Sequence, residues 1–285
     1  MIDSTLNQIF SAKMSEDDFN RLSSFIFSQS GIKMPPVKKV MLQSRLQKRL
    51  RELKIVSFKD YVDYVFSTEG QKNEIIHMLD VVSTNKTDFF REPVHFDFLL
   101  SNILPEFVST KGESNSLKVW SAGCSSGEEP YTIAITLNDF KQTHPKFDYS
   151  ILGTDISSQI LQKASMAVYK EDRIENIPLE MKRKYFLKSK NQEKKQVRVV
   201  KDLRNKINYK RLNFMDDVYN LTESFDVIFC RNVLIYFNRE TQENVINKLC
   251  NKLKSGGYLF IGHSESIMGM NVPLEQMKPT VFRRN

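Results

Sequence analysis

The 285-residue chain has no apolar run approaching the ~18 residues that a membrane-crossing helix requires, so direct membrane insertion is not expected. Its start, Met1 to Thr5, lacks a basic stretch followed by an apolar one, and no secretory leader is read there. Cysteine is scarce: Cys124, Cys230 and Cys250 are odd in number, with no close pairing and no metal-type spacing. A reduced, cytoplasmic setting follows as the simplest expectation. The four histidines are scattered in sequence, so no zinc or other metal is expected. Phosphate loops and the G-x-S-x-G nucleophile elbow are missing too. Acidic residues are scarce between Lys33 and Lys59, where nine cations stand against Glu52 alone, a local +8 that equals the charge of the whole chain.

The part that is present divides into two regions. Residues 1 to about 80 read as helical. Ser15 and the acids after it start one helix, with Phe19, Leu22, Phe25 and Ile26 at helical spacing, and Gly31 ends it. Pro35-Pro36 opens a second, which carries Leu42, Leu46, Leu50 and Leu53; Lys38, Arg45 and Arg49 then share one stripe beside that apolar face, with Lys48 adjacent. Ser57 starts a third helix, and residues 74–82 form a fourth. From Leu117 the pattern alternates, with strands expected at 117–121, 149–154, 225–230 and 257–262 and helices at 128–140, 157–168 and 239–254. That order predicts a parallel sheet covered by helices on both faces. The basic interval from Lys182 to Lys210 breaks the rhythm, and the alternating stretches 196–201 and 207–214 are expected as a small antiparallel excursion.

One segment carries more chemistry than any other: VWSAGCSSGEEP, residues 119–130. A short apolar strand, a turn containing Gly123 and Gly127, and a helix start are how α/β proteins cradle a nucleotide-like cofactor. Glu128 and Glu129 in the first helical turn repel a pyrophosphate, which wants bare N–H groups there. They suit a cofactor with a cationic end, such as S-adenosylmethionine, or they simply complement the helix dipole. Asp155 closes the second strand, where an acid either accepts bonds from ribose hydroxyls or caps the next helix. The strand 225–230 ends in Arg231-Asn232, and Tyr236 falls in the loop beyond, as a packing residue or beside a reacting group. Asn85 and Thr87 either cap a helix or, with Arg91, wall the site between the two regions. His263 and Glu265 form either a catalytic pair or an ordinary hydrogen-bonded loop.

Five blocks in register resemble the CheR-type chemotaxis methyltransferases: TNKTDFFRE (84–92), VWSAGCSSGEEPYTIA (119–134), GTDIS (153–157), FDVIFCRNVLIYF (225–237) and GGYLFIGHSE (256–265). The resemblance implies a Rossmann-like class I methyltransferase domain at 117–285, with a small antiparallel β-subdomain at about 185–211. It also implies an all-α docking domain at 1–82 and a linker at 83–116 that contributes to the cofactor pocket. The implied reaction moves methyl from S-adenosylmethionine to glutamate carboxylates on chemoreceptor cytoplasmic helices, giving methyl esters and S-adenosylhomocysteine. The implied cofactor residues are Asn85, Thr87, Arg91, Gly123, Glu128 (facing the methionine end), Asp155 (ribose), Leu212 and Asn213 (adenine), Arg231 and Asn232. Arg91 and Tyr236 are placed nearest the reacting atoms, and Lys38, Arg45, Lys48 and Arg49 are given to receptor docking. The loop 187–196 has no glycine, unlike family members that grip a receptor's terminal peptide there. A nucleic-acid substrate is not expected, since 232–236 lacks the Pro-Pro of base-amine methyltransferases. A monomer is the default.

Overall fold

The computed structural model describes residues 4–285. The first three residues of the expected helical domain, and of the start read as leaderless, lie outside the described residues. The helical unit comprises α1 (Ser4–Ser11), α2 (Glu16–Ser30), α3 (Lys39–Leu53), α4 (Phe58–Phe66), α5 (Thr68–Asn73) and α6 (Ile75–Val82). Ser15 and Asp18 form a reciprocal capping box on α2, and Gly31 ends that helix in the left-handed conformation. The apolar stripe of α3 packs inward: Leu42, Leu46 and Leu50 join Phe19, Leu22, Ile26, Tyr61 and Met78 in one core. Two helices, α1 and the short α5, are additions to the four read from the sequence. No side chain would fit at Gly70 within α5, because a Cβ would fall 1.9 Å from the Tyr64 carbonyl oxygen.

Two further helices, α7 (Val94–Phe98) and α8 (Leu104–Lys111), lead into the sheet unit. Its strands are β1 (Ser116–Ala122), β2 (Asp148–Asp155), β3 (Val168–Lys170), β4 (Phe186–Lys188), β5 (Gln196–Val199), β6 (Ile207–Arg211), β7 (Phe225–Cys230), β8 (Leu253–Ile261), β9 (Leu274–Lys278) and β10 (Val281–Arg284). The seven-stranded sheet runs β6-β2-β1-β7-β8-β10-β9, parallel from β6 to β8 and antiparallel at β10 and β9. Alternate β1 residues feed opposite faces, Leu117 and Val119 to one core and Trp120 and Ala122 to the other. Helices α9 (Glu128–Thr143), α10 (Ser158–Met166), α11 (Leu179–Tyr185), α12 (Lys201–Arg204) and α13 (Arg239–Lys252) complete the unit.

The small antiparallel sheet is real but differently composed: its order is β3-β5-β4, and it recruits β3 from before the basic interval. Residues 207–211 do not belong to it. They form β6, the parallel edge strand of the main sheet, with Ile207 opposite Ile151 and Arg211 opposite Asp155. An edge strand with one wet face alternates in the same way whichever sheet it joins.

Candidate active site

The strand order reverses around β1, whose neighbours are β2 on one side and β7 on the other, and a parallel sheet opens its binding crevice at such a point. A cleft lies there, walled by the carboxyl ends of these strands, the segment 82–91 and the helical unit. The turn after β1 is laced onto β2: the N–H groups of Gly123 and Cys124 both donate to the Thr154 carbonyl at 2.8 Å. Gly123 has φ 82°, and a Cβ there would sit 2.5 Å from the Val233 methyl, so the position requires glycine. Asp155 is buried at the end of β2 and accepts the N–H groups of Ser125 (2.9 Å) and Ser157 (3.0 Å). Burial is the largest influence on its carboxyl and moves the pKa above the ordinary range, despite those donors. The helix cap comes from Ser157, whose hydroxyl accepts the Ile160 N–H at 3.2 Å, so Asp155 is not the cap; it braces the turn and lines the cleft.

Of the sequence-assigned residues, Asn85, Thr87, Arg91, Gly123, Asp155, Asn213, Arg231, Asn232 and Tyr236 all line the cleft. Two do not. Leu212 is turned into the core with Trp120 and Phe214. Glu128 points the other way, bonded to the Ser126 hydroxyl (2.6 Å) and to Arg173 (2.8 Å). The carboxylate that reaches the cleft is Glu129, one residue and about 100° further round the helix. Glu129 accepts the Ser121 hydroxyl at 2.6 Å and the Arg231 Nε at 2.8 Å.

The docking stripe also needs correction. Arg49 is only 6% exposed and makes a two-pronged pair with buried Glu74, at 2.8 and 2.7 Å, to which Tyr61 adds a 2.9 Å bond. The Glu74 bond is the largest influence on the guanidinium and holds its proton above the usual value. Arg45 is half-buried and caps the end of α6, donating to the carbonyls of Val82 and Ser83 and to Thr84. Arg49 is not free to meet a partner, and Arg45 is already engaged at the end of α6. Lys48 is exposed beside Glu52. Lys38 lines the cleft, with its amine 5.9 Å from the centre of the Tyr236 ring.

Behind the cleft lies a charged network that the sequence did not reveal. Arg231 is buried and donates to the Arg91 carbonyl (2.9 and 2.8 Å) and to His95 Nδ1 (3.0 Å) as well as to Glu129. With Nδ1 accepting, the His95 proton sits on Nε2 and is donated to Thr280 Oγ1 at 2.8 Å. Burial first, and Arg231 second, depress the His95 pKa to about 4, so the ring is neutral. Glu92, His95 and His263 bring ligand-type atoms within 4.8 Å of one another, so two of the histidines are not scattered in space. Arg231 is already the cation there, 3.7 Å from the Glu92 carboxylate, and its charge opposes a divalent ion. His263 and Glu265 are not a pair: His263 is exposed beside Glu92, while Glu265 faces backbone amides. Phe90, Glu92, Ser125 and Asn232 all hold positive φ, a clustering of backbone strain around the cleft.

The cleft suits S-adenosylmethionine. Asp155 offers an acceptor for hydroxyls, Glu129 an anion for a cationic end, and Ile156, Phe214 and Phe237 apolar surface for a flat base. Two comparisons with family models agree. Residues 85–283 match the CheR methyltransferase SAM-binding domain and residues 17–83 match the CheR methyltransferase all-alpha domain. The chemotaxis protein methyltransferase of Borreliella burgdorferi is 40% identical over 95% of this chain and 95% of its own. The one from Escherichia coli is 34% identical over 89% of this chain and 85% of its own.

Proposed function

Because the chain belongs to the CheR methyltransferase family, and is thereby an S-adenosylmethionine-dependent methyltransferase of chemotaxis, we propose that its cleft esterifies glutamate side chains on chemoreceptor cytoplasmic helices. The observation that carries this is the absence of a free base among the described cleft residues. Glu129 is tied to Arg231 and Ser121, and Asp155 is tied to two amides. A glutamate has an ordinary pKa of about 4.3 and is already the nucleophile at neutral pH, so no base is needed. S-adenosylmethionine supplies the methyl group and the sulfur leaving group.

The protein's own contribution is placement and exclusion of water. Asn85, Thr87, Gly123, Asp155, Asn213 and Asn232 hold the cofactor, with Glu129 taking the place first given to Glu128. Arg231 acts from behind, fixing Glu129 and the Arg91 carbonyl. Arg91, Tyr236 and Lys38 stand where an incoming carboxylate is oriented by charge and hydrogen bonding. The ester is neutral, so these groups release the product more readily than they hold the substrate. The proposed division of labour gives docking to residues 1–82, part of the pocket to 83–116 and the transfer to 117–285.

The test is transfer of radiolabelled methyl from S-adenosylmethionine to chemoreceptor cytoplasmic fragments, followed by mild alkali. Label released as methanol is expected. Alkali-stable label would mean nitrogen or carbon methylation and would remove the glutamate assignment.

A further inference from the structure

Glu265 stands 29 residues after Tyr236, beyond β8, and its side chain does not line the cleft. It is 8% exposed, and its carboxylate is fully engaged. Oε2 accepts the N–H groups of Gly262 (2.6 Å) and Asn232 (2.9 Å). Oε1 accepts those of Leu234 (2.7 Å) and Ile235 (3.4 Å). The last two belong to the 3₁₀ turn Leu234–Tyr236, which has no side-chain cap of its own. A buried anion held by backbone dipoles alone is costly unless every donor is in place, so the carboxylate and the turn fix one another.

Two further features show that this contact sets geometry. Asn232 is held at φ 59°, a left-handed conformation that asparagine accepts more readily than other side-chain-bearing residues, and its N–H is fixed there by Glu265. Gly262 approaches Asn232 so closely that a Cβ would lie 2.5 Å from the Asn232 side-chain nitrogen and 2.8 Å from its backbone nitrogen. The far end of the turn is pinned as well, by the Lys33 N–H donating to the Tyr236 carbonyl at 3.1 Å.

We propose that Glu265 is the positioning residue for Tyr236: by clamping the amides of Asn232, Leu234 and Ile235 it fixes the turn that aims the Tyr236 hydroxyl at the reacting end of the cleft. The proposal rests on the assignment of Tyr236 to that end. Glutamine at 265 has one acceptor oxygen and an NH₂ group that faces two N–H donors, so one pair of amides is released and the turn loses its register.

The experiment is a double-mutant cycle on receptor methylation with Glu265→Gln and Tyr236→Phe, reading kcat and KM separately. Each single variant is expected to lower kcat at least tenfold, with KM for the receptor fragment changed less than about threefold. The double variant is expected within about threefold of the worse single, because a hydroxyl no longer aimed has little left to lose. Losses that multiply would overturn the positioning role while leaving Tyr236 in the mechanism. Full turnover by Tyr236→Phe would instead overturn the assignment of Tyr236, and the proposal with it. Should Glu265→Gln not fold, hydrogen exchange on the parent protein decides: the Leu234 and Ile235 amides are expected to exchange at least a hundredfold more slowly than exposed loop amides, and free exchange would overturn the clamp.

Discussion

Arg49 shows how one residue's chemistry changes with a partner that its neighbours do not announce. It follows Arg45 by one helical turn and shares that residue's stripe, yet it is buried against Glu74 on α6. Both charges have left water, so removing one strands the other. Arg49→Ala is expected to cost about 3–5 kcal/mol, the usual result of breaking one side of a buried pair. Urea unfolding measures it. Adding Glu74→Gln to Arg49→Ala should recover part of that loss by removing the orphaned charge. A loss below about 1 kcal/mol would mean that water reaches Glu74. A charge reversal at Arg49 would also abolish receptor methylation, but by unfolding the helical unit, so it cannot serve as a docking test. Glu128 and Glu129 carry the same lesson. The sequence places both at the helix start, but neighbours in a helix point about 100° apart, and only the tertiary setting decides which faces the cleft.

The strands and helices that position the cleft were legible because each has a local signature. β7 is a continuous apolar run of a doubly covered strand, and α3 repeats leucine at helical spacing. The parallel edge position of β6 was not legible, since pairing partners are set by contacts far apart in the chain. Arg173, in the short turn after β3, was equally silent. It links three elements, meeting Asp88 at 3.0 Å, Glu128 at 2.8 Å and the Thr87 carbonyl. Its role is to tie the segment 85–91 to the first turn of α9, alongside the Ser125 to Asn85 bond (3.0 Å) and the Phe90 to Thr132 bond (3.1 Å). Its side chain is 37% exposed, so solvent screening trims what each ion pair contributes. Arg173→Ala is expected to weaken S-adenosylhomocysteine binding about tenfold, roughly 1.4 kcal/mol, by loosening the wall that carries Asn85 and Thr87. Calorimetric titration reads this directly, and unchanged affinity would show that the other two bonds suffice.

At the scale of the whole molecule, the cleft is shared property. Met34, Lys38, Met41 and Val82 of the helical unit face Gly123, Asp155 and Arg231 of the sheet unit. The seam beside it is close-fitting. The Asn213 side chain donates to the Gln29 carbonyl at 2.6 Å, and a Cβ on Gly31 would lie 2.8 Å from the Met215 sulfur and 3.0 Å from the Phe237 ring. A ligand that contacts both walls stabilises the contact between the units as well as each unit. The whole chain is therefore expected to unfold in one transition that S-adenosylhomocysteine moves upward intact. At a hundred times its dissociation constant the product adds about 2.7 kcal/mol, which for a chain of this size is roughly 4–5 °C in melting temperature. Scanning calorimetry with and without product tests it. Two transitions, of which only one responds to product, would mean that the helical unit stands beside the cleft without forming its wall. The proposed docking role would then be all that the helical unit supplies, and Lys38 would drop out of the groups assigned to the incoming carboxylate.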